Sequence, residues 1–138
     1  MAAHSTSFKA TFDLPPSSNH MYVRRYKCYY KNGKRRKRLM NVLSDRAQAW
    51  MEKSGDEALV AMKECGWTSR PKKQKVVVEL NVWWPDRRKR DVHNLHKLLA
   101  DCLEGRVCDD DQWMLIRDMD FDYDKGNPRV EVLAYDFN

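Results

Sequence analysis

The sequence lacks the features that mark several large classes of protein. No apolar run approaches the roughly 20 residues that a membrane-spanning helix needs, and residues 1–7 contain neither the basic block nor the apolar block of a secretory signal. There is no internal repeat, low-complexity segment or linker within the 138 residues. We therefore expect a single domain over residues 1–138 with one hydrophobic core, located in the cytoplasm and without a membrane partner.

Cysteine pairs with metal-site or redox spacing are missing as well. The four cysteines form no CxxC pair, and thiols in the cytosol stay reduced, so we interpret Cys65 and Cys102 as small core residues. A zinc site remains an alternative, because one region contains suitable ligand types: His93, His96, Cys102 and Cys108. On a helix, however, Cys102 would fall toward the apolar side.

What the sequence does contain is an excess of basic residues. The formal net charge is +6 and the isoelectric point is near 9.2. The lysines and arginines are clustered rather than evenly spread. This clustering favours an acidic partner such as nucleic acid, although a basic surface also serves solubility.

Residue periodicity and turn signals predict six strands and two helices. The strands cover residues 8–14, 21–30, 34–42, 74–84, 113–121 and 129–137, and the helices cover residues 45–65 and 92–104. Ser44 is placed to cap the first helix and Gly66 to end it. Gly55, in the middle of that helix, costs about 1 kcal/mol relative to alanine. A kink, or two shorter helices joined near Ser54, is therefore an alternative to one continuous helix.

The second and third predicted strands should form a β-hairpin with a basic tip. Asn32-Gly33 suits a type I′ turn because both residues accept positive φ. Cations and tyrosines are interleaved along the hairpin, which suits phosphates and unstacked bases. A solvated, flexible hairpin whose tyrosines pack on the sheet is the alternative. The cations are Arg24, Arg25, Lys27, Lys31, Lys34, Arg35, Arg36, Lys37 and Arg38, and the tyrosines are Tyr22, Tyr26, Tyr29 and Tyr30.

Residues 85–113 concentrate both signs of charge. A basic run, residues 87–90, leads into the second predicted helix, and three successive carboxylates follow that helix: Asp109, Asp110 and Asp111. Neighbouring carboxylates repel one another unless a metal ion or a proton lies among them. Because cations suit a polyanionic backbone, this composition is typical of a nucleic-acid enzyme that uses a divalent metal.

The helix inside this segment should carry a polar stripe. His93, Lys97 and Asp101 recur every four residues and would lie on one side. Asp91 is placed to act as the N-cap, and Asn94 could reach back to it as in a capping box. If the polar side of this helix faces the carboxylates and its apolar side packs on the sheet, Asp91, His93 and Lys97 should lie close together.

Hydrolysis of a phosphodiester requires a metal ion to polarise the phosphate and activate water, and a cation to meet the charge of the transition state. Asp91 and Asp110 could hold the metal, and Lys97 could supply the cation. A stripe of surface ion pairs is the alternative, because Lys97 and Asp101 at i, i+4 also make an ordinary helix pair.

Three short motifs carry a resemblance to a known family. Residues 90–97 read Arg-Asp-Val-His-Asn-Leu-His-Lys, residues 109–112 read Asp-Asp-Asp-Gln, and residues 14–19 read Leu-Pro-Pro-Ser-Ser-Asn. The first two resemble the pattern Arg-Asp-x-Asp-Asn-x-x-Lys and then Asp-Asp-x-Gln of the RusA family of Holliday junction resolvases. The third is similar to the family's N-terminal signature Leu-Pro-x-Pro-Pro-Ser-x-Asn, one residue shorter. The motifs occur in the family's order and cover nearly the whole chain.

The resemblance implies an α+β fold, with a small mixed β-sheet and two main helices, in a homodimer that binds branched DNA. Four-way junctions would be the main substrate, cut symmetrically in two strands with Mg²⁺, or with Mn²⁺. A two-fold dimer also suits a junction that must be cut twice. By the same resemblance Asp91 and Asp110 match metal-binding aspartates and Lys97 matches the catalytic lysine. Asp109 is either a neighbour of the ligands or a substitute ligand.

His93 departs from the pattern, which has an aspartate at this position. Replacing the aspartate by histidine removes a negative charge. It also offers a nitrogen ligand to a site meant for Mg²⁺, which prefers oxygen. His93 could ligate the metal and shift its preference toward Mn²⁺, act as a general base on water, or mark reduced activity. We expect a retained metal site, because Asp91, Asn94, Lys97 and the carboxylates of residues 109–111 remain.

The sequence thus yields three sets of candidate residues. The catalytic candidates are Asp91, His93, Lys97 and Asp110. The metal ligand candidates are Asp91, His93, Asp109 and Asp110. The residues expected to contact DNA are Arg24, Arg25, Lys27, Lys34, Arg35, Arg36, Lys37, Arg38, Lys72, Lys73, Arg87, Arg88, Lys89 and Arg90.

Two other functions remain open. One is a non-catalytic protein that binds branched or single-stranded nucleic acid, and the other is a nuclease whose substrate is a flap or a fork. The carboxylates argue against the first, because a pure binder gains nothing from acidic groups beside phosphates. The second depends on how two basic surfaces are spaced across a dimer.

Overall fold

The computed structural model describes residues 6–138 and has the predicted α+β architecture. Its strands are β1 (Phe8–Phe12), β2 (Tyr22–Lys31), β3 (Lys34–Leu43), β4 (Val76–Trp84), β5 (Met114–Tyr123) and β6 (Arg129–Asp136). Its helices are α1 (Asp45–Cys65) and α2 (His96–Leu103), and short 3-10 helices lie at Ser18–His20, Val92–Leu95 and Asp111–Trp113. No helix within the described residues combines the length and the apolar character needed to cross a membrane.

The larger sheet has four strands in the order β1-β6-β4-β5. β4 and β5 are parallel, whereas β6 is antiparallel to both β1 and β4, so the expected mixed sheet is confirmed. Parallel neighbours need a crossover connection. Residues 85–113 supply this connection and include α2. The segment that carries two of the three motifs is therefore held between adjacent strands.

One face of this sheet packs against both helices. Alternate residues of β4 are buried on that face, as the period of two in the sequence predicts. Cys102 of α2 is fully buried in the same core, whereas Cys65 is only half-buried against it. The core joins residues of β4, α1 and α2, including Val78, Leu80, Val82, Trp50 and Leu98.

β2 and β3 form a separate two-stranded sheet. Asn32 and Gly33 at its turn have φ values of 53° and 74°, as a type I′ turn requires. Residues 24–39 are exposed on both faces, so the hairpin projects from the core and its tyrosines do not pack on the larger sheet. The base of the hairpin is anchored by Met21, which is buried in the core. The carbonyl oxygen of Met21 accepts a hydrogen bond from Ser44 N at 2.8 Å.

α1 is one continuous helix of 21 residues. Ser44 Oγ accepts a hydrogen bond from Ala47 N at 3.1 Å, and Gly66 ends the helix with φ 67°, as the sequence predicts. The alternative of two shorter helices joined near Ser54 is wrong, because the helix is unbroken. Gly55 packs against Arg106, and a Cβ there would lie 2.6 Å from Nη2 of that side chain, which would have to shift.

The second predicted helix, residues 92–104, is only partly correct. The chain begins as a 3-10 helix at Val92–Leu95 and becomes α-helical from His96. Asp91 is the N-cap by position, but its side chain makes no capping hydrogen bond, so the capping box with Asn94 is wrong. His93 therefore lies outside the α-helical stripe that Lys97 and Asp101 share.

The ends of several strands differ slightly from the prediction. β1 ends at Phe12 rather than at residue 14, before Pro15 and Pro16, which lack the N–H group that continued pairing needs. Trp113 belongs to a 3-10 helix, so β5 begins at Met114. β4 begins at residue 76 rather than 74, and β6 ends at residue 136 rather than 137.

Candidate active site

A cleft lies between the motif at residues 14–19 and the motif at residues 90–97. The loop at residues 14–20 forms one wall, and the residues that follow β4 form the other, with Asp91 and Asn94 between them. Ser18 Oγ donates a hydrogen bond to Asn94 Oδ1 at 3.5 Å across the cleft. The tertiary structure thus brings together motifs that are more than half the chain apart.

The basic run beside this cleft is partly held in place by the protein. Arg90 Nη1 lies 2.7 Å from Asp86 Oδ1, and its guanidinium lies over the ring of Trp84. The hydrogen bond from Arg90, together with that from the backbone of Arg88, lowers the pKa of Asp86. Arg87 lies over the ring of Tyr123 at 4.3 Å. These contacts orient the guanidinium groups before any phosphate binds.

Three carboxylates meet at the far end of α2. Ligand oxygens of Asp101, Glu104 and Asp111 all lie within 4.8 Å of one another. Asp101 and Glu104 come from α2 and the residue that follows it, and Asp111 begins the next 3-10 helix. The backbone N–H of Asp111 donates a hydrogen bond to Glu104 Oε1 at 3.4 Å, which fixes the two elements to each other. We call these residues the acidic trio.

Lys97 lies at the edge of the acidic trio. Its Nζ is 3.2 Å from Asp101 Oδ1, one helical turn away. The hydrogen bond and charge of Asp101 raise the pKa of Lys97, and the nearby Tyr22 and Asp111 add to this effect. Lys97 is therefore a cation paired with the acidic trio, and its side chain remains 54% exposed.

The donor chemistry of the acidic trio suits a hard divalent cation. Carboxylate oxygens are the ligands that Mg²⁺ and Mn²⁺ prefer in proteins, and Asp101, Glu104 and Asp111 offer only oxygen. Asp101 and Asp111 are half-buried and Glu104 is exposed, so an ion held there would remain open to water and to a phosphate. The trio is a candidate acidic metal site.

The ligands proposed from the sequence lie elsewhere. Asp91 and His93 are exposed at the start of the crossover helix, and the His93 ring lies 6.4 Å from that of His96. Asp109 Oδ1 accepts a hydrogen bond from Ser69 Oγ at 3.0 Å, and Asp110 Oδ1 accepts one from Gln112 N at 3.0 Å.

These proposed ligands are not members of the acidic trio. Over residues 6–138, no group of three ligands within 4.8 Å includes Asp91, His93, Asp109 or Asp110. Asp91 precedes the helical part of the crossover and Asp110 follows it, and α2 alone is about 12 Å long.

Some residues of the site were missed by sequence reasoning. Glu104 follows Asp101 by three residues, a spacing that places two side chains on one side of a helix, so this signal was present. His96 Nε2 lies 2.7 Å from Asp118 Oδ1. These two residues are far apart in the sequence, so no local pattern predicts their contact. The register of the parallel strands places Asp118 beside Leu80, on the face that α2 covers.

The predicted DNA contacts form separate groups. Lys72 and Lys73 lie in the turn before β4, whereas residues 87–90 follow the other end of this nine-residue strand, about 30 Å away. The remaining candidates are on the projecting hairpin, where Arg25 Nη1 also pairs with Asp45 at 3.0 Å. The basic residues thus form three separate groups rather than one patch.

The zinc alternative receives no support from the geometry. Among residues 6–138, His93, His96, Cys102 and Cys108 do not form a group of metal ligands. Burial raises the pKa of the Cys102 thiol and that of the Cys108 thiol to about 11, whereas zinc requires thiolates.

Comparison with protein families gives one match. Residues 13–134 match the family model of endodeoxyribonuclease RusA. This range includes the cleft, the crossover segment with all of its acidic residues, and the hairpin. No curated protein matches the chain.

Proposed function

The chain belongs to the RusA endodeoxyribonuclease family, and we propose that it cleaves four-way DNA junctions by metal-dependent phosphodiester hydrolysis, with paired symmetric cuts. The observation that carries this proposal is the acidic trio with Lys97 at its edge. Carboxylates beside a fixed cation, within a chain of net charge +6, serve a metal-dependent nuclease, whereas a protein that only binds DNA has no use for them.

The acidic trio would hold Mg²⁺ or Mn²⁺. When bound, the ion would polarise the phosphate and lower the pKa of a water molecule. Lys97 stands beside it as the catalytic cation, where it would meet the charge that grows on the phosphate oxygens. The basic residues of the hairpin and residues 87–90 would hold the backbone of the DNA.

The motif residues Asp91, His93, Asp109 and Asp110 are proposed as further contributors to metal binding and catalysis. Asp91 and Asp110 lie before and after the helical part of the crossover, and we propose that they act on one ion with each of them supplied by a different chain. A homodimer would meet this requirement. It would also provide two active sites for a junction with near two-fold symmetry.

A cleavage assay tests this proposal. Synthetic four-way junction, flap, fork and linear duplex are incubated with the protein and Mg²⁺, Mn²⁺ or no metal. We expect paired cuts in the junction with a metal, little cleavage of duplex, and none without metal. Asp111→Asn should reduce cleavage by at least about 100-fold while junction binding is kept, because a neutral amide no longer repels the phosphates.

The matched control is Asp122→Asn, which removes an exposed aspartate of β5 outside the trio and should cleave like the unchanged protein. Cleavage by Asp111→Asn at the normal rate would remove the acidic trio from the mechanism. Preferential cleavage of flaps or forks would replace the junction as substrate. No cleavage with either metal would leave DNA binding alone as the function.

A further inference from the structure

The β2–β3 hairpin has two chemically different faces. Directly opposed residues of an antiparallel pair share a face, and the register pairs Tyr22 with Leu43, Tyr26 with Leu39, and Tyr30 with Arg35. Three tyrosines therefore recur on one face, four residues apart. We call this surface the tyrosine face; it consists of Tyr22, Arg24, Tyr26, Cys28, Tyr30, Arg35, Lys37, Leu39, Asn41 and Leu43.

The opposite face is mainly cationic. There the register pairs Lys27 with Arg38 and Lys31 with Lys34, and Tyr29 lies opposite Arg36. Cations and aromatic residues are interleaved in the sequence, but the period of two in a strand separates most of them in space. The hairpin thus presents stacking surfaces on one side and phosphate contacts on the other.

The tyrosine face is open to solvent. Tyr26 is 69% exposed, Tyr30 is 77% exposed and Tyr22 is 49% exposed. Aromatic side chains of this size are usually buried or used in an interface. No acidic residue occurs between Tyr22 and Leu43, so the charge of the hairpin is complementary to that of a polyanion that offers flat apolar surfaces.

The spacing on this face matches an unpaired nucleic acid strand. Tyr22, Arg24 and Tyr26 follow one another at two-residue intervals, about 7 Å apart. At the base of the hairpin a cation thus lies between two rings, an arrangement that suits a phosphate flanked by two bases of an extended single strand. Paired duplex cannot use the rings in this way, because its bases are already stacked on each other.

The tyrosine face begins at the candidate active site. Ser18, four residues before Tyr22, donates a hydrogen bond to Asn94 Oδ1 at 3.5 Å, and Asn94 precedes Lys97 by three residues. A strand that stacks along the hairpin toward Tyr22 would therefore approach the segment that carries Lys97.

We propose that the tyrosine face binds unpaired nucleotides of branched DNA by base stacking and leads that strand to Lys97. This inference rests on the proposed nuclease function for the identity of the DNA. It adds a specificity determinant, since stacking would favour DNA with unpaired bases over duplex.

The experiment measures binding rather than cleavage, so that its outcome is independent of catalysis. Fluorescence anisotropy is recorded without divalent metal for oligo(dT), for a four-way junction with four unpaired thymidines at its centre, and for duplex. The double variant Tyr26→Ala, Tyr30→Ala should bind the first two DNAs at least about tenfold more weakly. Its affinity for duplex should change by less than about twofold.

Two variants serve as matched controls. Tyr29→Ala removes an exposed ring from the cationic face and should leave the preference among the three DNAs unchanged. Tyr26→Phe, Tyr30→Phe keeps the rings without the hydroxyl groups and should bind like the unchanged protein. Circular dichroism should show the same folded state for all variants.

Several outcomes would overturn the inference. Unchanged binding of oligo(dT) by the alanine double variant would exclude stacking on this face, and an equal loss on duplex would show that the tyrosines do not read unpaired bases. A change of oligomeric state, measured by sedimentation, would identify the face as an interface between two copies of the chain. None of these results would contradict metal-dependent cleavage.

Discussion

The guanidinium of Arg106 occupies the space that a side chain at Gly55 would need. Arg106 Nη1 donates a hydrogen bond to the carbonyl oxygen of Cys102 at 2.7 Å, and this bond holds the guanidinium against α1, where a Cβ on Gly55 would lie 2.6 Å from Nη2. This contact between α1 and the turn after α2 helps to position α2, which carries Lys97 and Asp101.

Gly55→Ala should destabilise the protein by about 1 to 2 kcal/mol, because the clash with Arg106 outweighs the helix propensity that alanine adds. In an Arg106→Ala background the same change should stabilise by up to about 1 kcal/mol, since only the propensity remains. Urea unfolding of the four proteins measures both values. A stabilising effect in both backgrounds would show that Arg106 moves away without cost.

Lys97→Ala should reduce junction cleavage by about 100-fold or more, because the cation that meets the transition-state charge is lost. Lys97→Arg keeps a charge and should retain more of the activity. Single-turnover rates at saturating protein separate this effect from binding. Lys63→Ala, an exposed lysine in the last turn of α1, is the control, and an equal loss there would mean that net charge alone is responsible.

Asp91→Asn and Asp110→Asn should each be inactive alone, but the two proteins should complement each other when mixed. If each site combines Asp91 of one chain with Asp110 of another, a mixed dimer contains one intact site and one doubly altered site. We expect single-strand nicking at about a quarter of the normal rate in a nicked-circle assay. No recovery after verified subunit exchange would place both aspartates in the same site of one chain.

Arg36→Ala, Arg38→Ala should weaken binding of junction and duplex alike and lower its salt dependence. Each phosphate contact adds about 0.9 to the magnitude of the slope of log K against log salt concentration. The magnitude of this slope should therefore be smaller by about 1.8 in the double variant. Titrations between 50 and 300 mM NaCl give the slope. Lys125→Ala, in the turn before β6, should leave it unchanged, and an unaltered slope in the double variant would mean that the cationic face does not contact DNA.

Stability should fall at alkaline pH partly through two thiols. Burial raises the pKa of Cys102 and that of Cys108 to about 11, above the value of about 8.5 in an unfolded chain. Their contribution is therefore fully present below about pH 8.5 and is lost as pH rises through about 11. The urea midpoints measured at pH 8 and pH 10.5 should differ less for the double variant Cys102→Ala, Cys108→Ala than for the unchanged protein. An equal difference in the two proteins would rule out the thiols as the cause.

Local chemistry made much of the fold predictable. Asn32-Gly33 can form the hairpin turn without strain, Ser44 and Gly66 satisfy the ends of α1, and the alternation along β4 encodes a half-buried strand. Each of these signals depends on residues a few positions apart. The prediction failed where a distant contact decided the outcome, as at Gly55, whose role depends on Arg106.

The candidate site was predictable in composition but not in assembly. The sequence placed Lys97 and a series of carboxylates in one segment, and the structure pairs Lys97 with Asp101. The sequence did not reveal that the carboxylates of Asp101, Glu104 and Asp111 meet. The path of a crossover between parallel strands is set by the packing of α2 on the sheet, which local patterns do not contain.

The sequence by itself determined the six strands, the first helix, the basic hairpin and the family motifs, because propensity, capping and turn geometry are properties of neighbouring residues. Only the tertiary structure decided which carboxylates lie together and where the hairpin projects relative to Lys97. These features depend on strand order and helix packing, which minimise exposed apolar surface over the whole chain.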